Sequence, residues 1–269
     1  MQTRKNFSFD IIGTVVIIEL PALSLRKKAP KEIEKETVKY IRKTHPNVKT
    51  ILKKQSNRKG EFRLRALKKI FGTETKTTHK EYGMQFRLDV AKAYFSPRES
   101  TERQRIAGQV KPKENVLVMF AGIGPYAIAI AKKQPKVGKI YAIEINPVAV
   151  KYMEENIRIN NVGDKIIPIS GDAKKKAKQF YDKCDRIVMP LPLEAHKFLS
   201  IALKCLKKKG TIHFYSIGKG NDLFSEPEKI IKKECKKEKV KYKIISRKKT
   251  LPYGPRRFKV CIEFSVRHQ

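Results

Sequence analysis

Acidic side chains are scarce in this 269-residue chain: 26 Asp and Glu stand against 62 Lys and Arg, a formal net charge of +36. A heat-adapted surface would raise Lys and Glu together, so this imbalance points instead to a polyanionic partner, nucleic acid first. Cysteine is sparse too. Cys184, Cys205, Cys235 and Cys261 are far apart and form no C-x-x-C pair, which argues against a zinc ribbon and suits buried thiols in a reducing cytoplasm. The five histidines are equally scattered, and no metal is expected. Long apolar runs are missing: Ile11 to Ile18 is bracketed by Asp10 and Glu19 and is too short to span a bilayer. With no amphipathic anchor evident, the expectation is a cytoplasmic protein that does not engage a membrane.

The length allows two domains and a sizeable core. Residues 10 to 20, "DIIGTVVIIEL", read as one strand with a glycine bulge. A Pro-punctuated loop and a helix near Lys31 to Thr44 follow, with strand-like pieces around Val48 to Leu52, Phe62 to Leu67 and Met84 to Val90. This predicts a small α/β domain over 1–92, expected to recognise the partner. "PRESTERQRIAGQV", Pro97 to Val110, predicts a helix leading into a second domain, 93–269. There "NVLVMF", "KIYAIE", "KIIPIS", "DRIVMP" and "GTIHFYSI" alternate with helical runs, which implies a parallel sheet with helices on both faces. Residues 240–246 and 257–266 are strand candidates joined by the turn signal "LPYGP". A mainly parallel sheet ending in an antiparallel hairpin is the layout of the S-adenosylmethionine-dependent methyltransferase fold, whereas NAD-binding sheets usually end in parallel strands. The lysine runs Lys174 to Lys178 and Lys232 to Lys241 read as solvated helix faces.

Between the first strand and helix of the second domain, Gly122, Gly124 and Ala127 satisfy G-x-G-x-x-G/A, where glycine lets the backbone turn tightly and approach a ligand at a helix N-terminus. NAD, FAD and S-adenosylmethionine proteins share this shape. Glu144 lies 20 residues after Gly124, placed to hold a ribose diol in either cofactor class. Asp172 in "ISGDA" could accept from an adenine amino group, or cap a helix, as Asp commonly does. At the tip of the fourth strand, "MPLPLEAHKF" keeps the turn with which amino-group and ring-nitrogen methyltransferases grip a planar target. It lacks their Asn, because Pro190 offers neither a side-chain polar group nor a backbone donor.

"YFSPRESTERQRI", "MFAGIGPYAIAIAK", "IYAIEINPVAV", "ENIRIN", "DRIVMPLP" and "IHFYSIGK", in order, resemble the archaeal and eukaryotic tRNA (guanine-37 N1)-methyltransferases and their wyosine-pathway relatives. "GEFRLRALKKIFG" and "HKEYG" extend the likeness into the small domain. The resemblance implies S-adenosyl-L-methionine as cofactor and a monomer acting on the anticodon stem-loop of tRNA. Longer members begin with an additional domain thought to contact the tRNA elbow, and this chain resembles them from their second domain onward. The likeness assigns Glu102 and Arg103 to the reaction centre, and Arg63, or else Arg65, to the charge on the base. Tyr94 goes to the shared base and cofactor pocket. Arg98, Phe120, Gly122, Gly124, Glu144, Ile145, Asp172 and Ala173 go to the cofactor, and Pro190, Leu191 and Pro192 to the target base.

Two residues depart from the family pattern: Val118 stands where an Asp is usual, and Pro190 replaces Asn as in the archaeal subgroup that also methylates a carbon of the tricyclic wyosine precursor. Guanine N1 carries a proton, so Glu102 is expected to act as base while an Arg steadies O6. The alternative for Glu102 is an i, i+3 or i, i+4 surface ion pair. Two other functions compete: a wyosine-pathway aminocarboxypropyl transferase, and a basic RNA-binding protein whose cofactor pocket has degenerated at Val118 and Pro190.

Overall fold

The computed structural model describes residues 7–20, 30–58 and 60–268. The chain divides between Arg98 and Glu99 into two compact units.

In the first unit, β1 (Ser8–Ile12) and β2 (Val15–Glu19) pair antiparallel, with Ile12 opposite Val15. The single bulged strand expected over residues 10 to 20 is therefore a hairpin. Gly13 opens its two-residue loop at φ +56°, a conformation that glycine adopts without strain. A Cβ there would also lie 2.3 Å from Thr77 Oγ1 and 2.4 Å from the Thr78 carbonyl oxygen. Helix α1 (Pro30–Thr44) crosses to β3 (Thr50–Lys54), which runs parallel to β2, and β4 (Leu67–Phe71) completes a sheet of order β1-β2-β3-β4. Val16, Ile18, Ile41, Val48 and Ile51 form its core. Of the strand expected over Phe62 to Leu67 only Leu67 belongs to β4: Phe62 and Arg63 lie in a turn, and Arg63 at φ +52° breaks the extended run. Sequence reading also missed β5 (Lys76–Glu81), too polar to register as a strand. It pairs with β6 (Met84–Asp89) through Tyr82 and Gly83, both at positive φ, the backbone of a type I′ hairpin.

The second unit opens with α2 (Ser100–Ala107) and builds one seven-stranded sheet. Its strands are β7 (Val116–Met119), β8 (Ile140–Glu144), β9 (Ile166–Ser170), β10 (Cys184–Met189), β11 (Leu206–Lys219), β12 (Lys241–Gly254) and β13 (Arg257–Arg267). Between them lie α3 (Pro125–Lys133), α4 (Pro147–Ile159), α5 (Ala173–Lys176), α6 (Leu199–Cys205) and α7 (Ser225–Lys237). The spatial order is β12-β13-β11-β10-β7-β8-β9. The strands from β9 to β11 are parallel, and β13 runs antiparallel to both β11 and β12. The expected parallel sheet with a terminal hairpin is present. Strand β7 is apolar along its whole length and β10 from Ile187 to Met189, because both faces are covered there. All four cysteines are free and buried. Among the described residues no helix is long and apolar enough to cross a membrane.

Candidate active site

Strands β10, β7, β8 and β9 are parallel neighbours, so the segments that follow them emerge at one edge, where ligands of open α/β sheets bind. After β7 the backbone turns through Phe120 (φ +60°), Gly122 (+57°) and Gly124 (+88°). Gly124 caps α3, Pro125 occupies its first turn, and residues 126 to 131 are buried. A Cβ on Gly124 would come within 2.9 Å of Met153 Cγ, so glycine here also lets α4 pack against the loop. Phe120 is no glycine, and its left-handed backbone is the kind of strain that collects at functional sites. Its ring meets Phe198 edge-on at 4.7 Å.

Glu144, at the end of β8, is buried, and its carboxylate accepts from the N–H of Gly122 (2.7 Å) and of Asn146 (2.8 Å). Burial pushes this carboxyl up, and the N–H groups of Asn146, Gly122 and Ile145 work against that. Acceptor capacity remains on it for a ribose hydroxyl. Asp172 caps α5 by accepting from Lys174 N–H at 2.8 Å, so its capping role is realised, and Ala173 is buried behind it. After β10, Leu191 N–H donates to the Met189 carbonyl at 2.9 Å, closing the turn at Pro190. Pro192 is buried next to it. Val118 is fully buried within β7. Phe120, Gly122, Gly124, Glu144, Ile145, Asp172, Ala173, Pro190, Leu191 and Pro192 thus share one edge. Without the Pro190 to Pro192 turn, this set fits an adenosine cofactor: a carboxylate pinned to a glycine loop, with a capped helix and an apolar ring beside it.

A second cluster in the same unit centres on α2. Glu102 is 8 % exposed and is gripped by Arg105, which donates from Nε to Oε2 at 2.7 Å and from Nη2 to Oε1 at 2.8 Å. The Tyr215 hydroxyl donates to Oε1 at 2.5 Å and accepts from Tyr126 at 3.2 Å. Arg105 also donates to Glu263. The pair with Arg105 is the i, i+3 contact that the spacing allowed, but it is buried rather than on the surface. Three of the four lone-pair positions on Glu102 are filled, and one on Oε2 stays open. Beyond Glu263, His213 is fully buried, with Nε2 2.7 Å from Arg186, and Arg186 grips Glu114. Burial would raise the Glu263 carboxyl, but His213 and Arg105 outweigh it and hold the group at about 2. Burial lowers the His213 imidazole. Arg103, next to Glu102, is 1 % exposed.

The first unit gathers the remaining candidates. Arg63, Arg65 and Tyr94 line one small pocket with Arg58. The Arg58 guanidinium lies 4.1 Å from the Tyr94 ring centre and that of Arg63 5.8 Å away, both within cation–π range. Burial, with Arg58 alongside, lowers the Arg65 guanidinium. Arg98 is tied to Asp10 and to the Phe9 carbonyl, which places it with β1. Sequence reasoning missed Arg58, Arg105, Tyr215 and Glu263. "NRKGEFRLR" and "TERQR" held a signal for the two arginines, whereas Tyr215 and Glu263 sit on distant strands with no local sign of their role.

The strand order, with its one reversed strand beside the edge, and the glycine loop facing Glu144 define an S-adenosylmethionine-dependent methyltransferase fold. Residues 77–245 match the TRM5/TYW2 methyltransferase domain and residues 2–75 the TYW2 N-terminal domain. The chain belongs to the TRM5/TYW2 methyltransferase family. It is 40 % identical to the tRNA (guanine(37)-N(1))-methyltransferase Trm5b of Pyrococcus abyssi, a match covering 96 % of this chain and 74 % of that protein. It is 33 % identical to the tRNA (guanine(37)-N(1))/4-demethylwyosine(37)-methyltransferase Taw22 of Nanoarchaeum equitans (95 % and 98 %). A tRNA(Phe) (4-demethylwyosine(37)-C(7)) aminocarboxypropyltransferase of Methanocaldococcus jannaschii is 34 % identical (96 % and 97 %). The crystal structure of wild-type Trm5b from Pyrococcus abyssi superposes with a TM-score of 0.85 at 40 % identity, covering 97 % of this chain and 75 % of that one. That of M. jannaschii TYW2 in complex with AdoMet gives 0.73 at 30 % identity, covering 97 % and 100 %.

Proposed function

We propose that this chain transfers the methyl group of S-adenosylmethionine to N1 of guanosine 37 in tRNA. The observation that carries the proposal is the clamped Glu102: a buried carboxylate, fixed by Arg105 and Tyr215, that keeps one open lone pair. When bound, S-adenosylmethionine supplies a methyl group already activated on a sulfonium sulfur. The chain's own task is then to take the N1 proton and steady the charge left on the base. Glu102 Oε2 takes the proton, and Arg63, or else Arg65, faces O6. Tyr94 and the Pro190 to Pro192 turn hold the planar base. Glu144 holds the ribose diol, with Asp172 toward the adenine. The first unit serves as the tRNA-recognition domain.

Incubating unmodified tRNA with enzyme and S-adenosylmethionine, then analysing nucleosides by mass, tests this. One added methyl on guanosine 37 is expected, and an unchanged nucleoside defeats the proposal. A second reading has specific support, because the aminocarboxypropyltransferase of M. jannaschii aligns over nearly the full length of both chains. That reaction would add a heavier group to a wyosine precursor, which the same analysis separates.

Glu144→Ala is expected to weaken S-adenosylmethionine binding by about 10-fold or more, since hydrogen bonds to a charged group each contribute roughly 1.5–3 kcal/mol. Calorimetry reads this directly, and unchanged affinity would place the ribose elsewhere. Pro190 bears on specificity. An Asn there could hydrogen-bond the Watson–Crick edge of guanine and reject other bases, which proline cannot do. The enzyme should therefore also accept the tricyclic precursor and methylate a ring carbon. Pro190→Asn should shift the ratio toward plain guanosine, as measured by nucleoside mass on tRNA carrying either substrate. Activity on guanosine alone, with no change in the variant, would make Pro190 a neutral replacement.

A further inference from the structure

At the amino ends of β10, β11 and β12, where the sheet is farthest from the candidate active-site loops, an open groove of about 530 Å³ lies in the second unit. Cross-strand register decides what faces it. Lys241 of β12 sits directly opposite Arg267 of β13, and Arg267 directly opposite Lys209 of β11. Residues paired in this way point to the same face, so three cations stand side by side across three strands. Two residues along, the next row on the same face is Lys243, Ser265 and Thr211. All six line the groove.

Like charges directly opposite one another destabilise a sheet, and nothing within the described residues relieves this row: Lys209, Lys241, Lys243 and Arg267 have no acidic partner there. The two acids in the groove wall are spent on other cations. Glu114 is held by Arg186 at 2.7 and 3.1 Å, and Asp185 accepts from Lys207 at 2.7 Å and from Asn115 N–H at 2.8 Å. Tyr242 and Val266, between the two rows, also line the groove, but strand alternation turns their side chains to the other face, where the Tyr242 ring meets Phe264 edge-on. The face thus offers four unneutralised cations and two hydroxyls, with no aromatic ring among its six residues to stack a base.

We propose that this groove binds the phosphodiester backbone of tRNA outside the anticodon stem-loop. The inference rests on tRNA being the substrate. Ten residues of β11 separate Lys209 from Lys219, roughly 30 Å at ~3.3 Å per residue, so an anticodon loop at the carboxyl edge leaves the groove to RNA beyond it. Cations and hydroxyls without stacking rings grip phosphates and read no sequence, so this contact adds affinity that is blind to tRNA identity.

The test compares wild type with the quadruple variant Lys209→Gln, Lys241→Gln, Lys243→Gln, Arg267→Gln. A control variant, Lys232→Gln, Lys233→Gln, Lys236→Gln, Lys239→Gln, loses the same charge from exposed positions on and just after α7. Binding of whole tRNA and of an isolated anticodon stem-loop is measured against salt. The groove variant should bind whole tRNA about 10-fold or more weakly, with a log–log salt slope shallower by about 2, since each phosphate contact contributes roughly 0.9. Its stem-loop affinity should change no more than the control's does. Its melting temperature without RNA, at low salt, should rise, because the repelling row is gone. An equal loss on both RNAs, or a loss no larger than the control's, overturns the proposal. Binding is read rather than turnover, so wild type that binds whole tRNA through the groove yet methylates nothing would defeat the activity reading and leave the groove intact.

Discussion

Glu102→Gln is expected to bind tRNA and S-adenosylmethionine as wild type does and to lower the single-turnover rate by about 10²-fold or more, the usual loss when a general base is removed. Gln has almost the shape of Glu, and its carbonyl can still accept from Tyr215, but it cannot take a proton. The geometry makes this a demanding test. Arg105 and Tyr215 occupy three of the acceptor positions on the carboxylate, so proton removal leans on the guanine being positioned at Oε2. Unchanged single-turnover rates across pH would reduce Glu102 to the buried partner of an ion pair.

Arg105→Met should cost about 3–5 kcal/mol of folding stability, the range found when one partner of a buried ion pair is removed. The side chain holds two carboxylates at once, Glu102 and Glu263, and methionine leaves both buried with less compensation. Denaturant unfolding near neutral pH measures the loss, and a change below about 1 kcal/mol would show that the cluster relaxes around the gap. Acid sharpens the test. The Glu263 carboxyl lies at about 2 in the folded chain against an ordinary 4.5. Its contribution is therefore present in full above pH 4.5 and is lost as pH falls toward 2. His213 acts in the same direction: its folded value is depressed below 6.5, so the unfolded chain takes up its proton first as pH drops. In the variant the Glu263 depression shrinks, and at pH 4 less stability should separate it from wild type than at pH 7. Glu263→Gln added to Arg105→Met should recover part of the loss, because the two sites share one contact.

Features that repeat locally were legible in the sequence. Alternating apolar strands and helices revealed the sheet, and "LPYGP" revealed its closing hairpin, because period and turn chemistry lie within a few residues of each other. Gly13 was ambiguous for a physical reason: a glycine inside an apolar run suits a bulge and a hairpin loop equally, and the distinction lies in Thr77 and Thr78, more than sixty residues away. "FRLR" alternates like a strand, but nothing local announces that Arg63 takes a left-handed backbone. The edge segments with Gly122, Gly124, Glu144 and Asp172 could be placed because strand ends fix them. The partners of Glu102 could not all be placed. Arg105 was within reach by helical spacing, whereas Tyr215 and Glu263 arrive from β11 and β13, and only the register of the folded sheet sets them beside α2.

The last strand of the sheet lies in its interior, and this governs how the chain can assemble. β12 touches the sheet only through β13, and β11 finds its second neighbour only there. Until residues 257 to 267 have left the ribosome, β11 presents a fourteen-residue open edge, and such edges invite pairing with other chains. Closing the hairpin afterwards settles both strands in one event, so the two should gain amide protection together and last. Loss of the final dozen residues would remove two rows of hydrogen bonds rather than fray one end, and insoluble aggregate is the expected product.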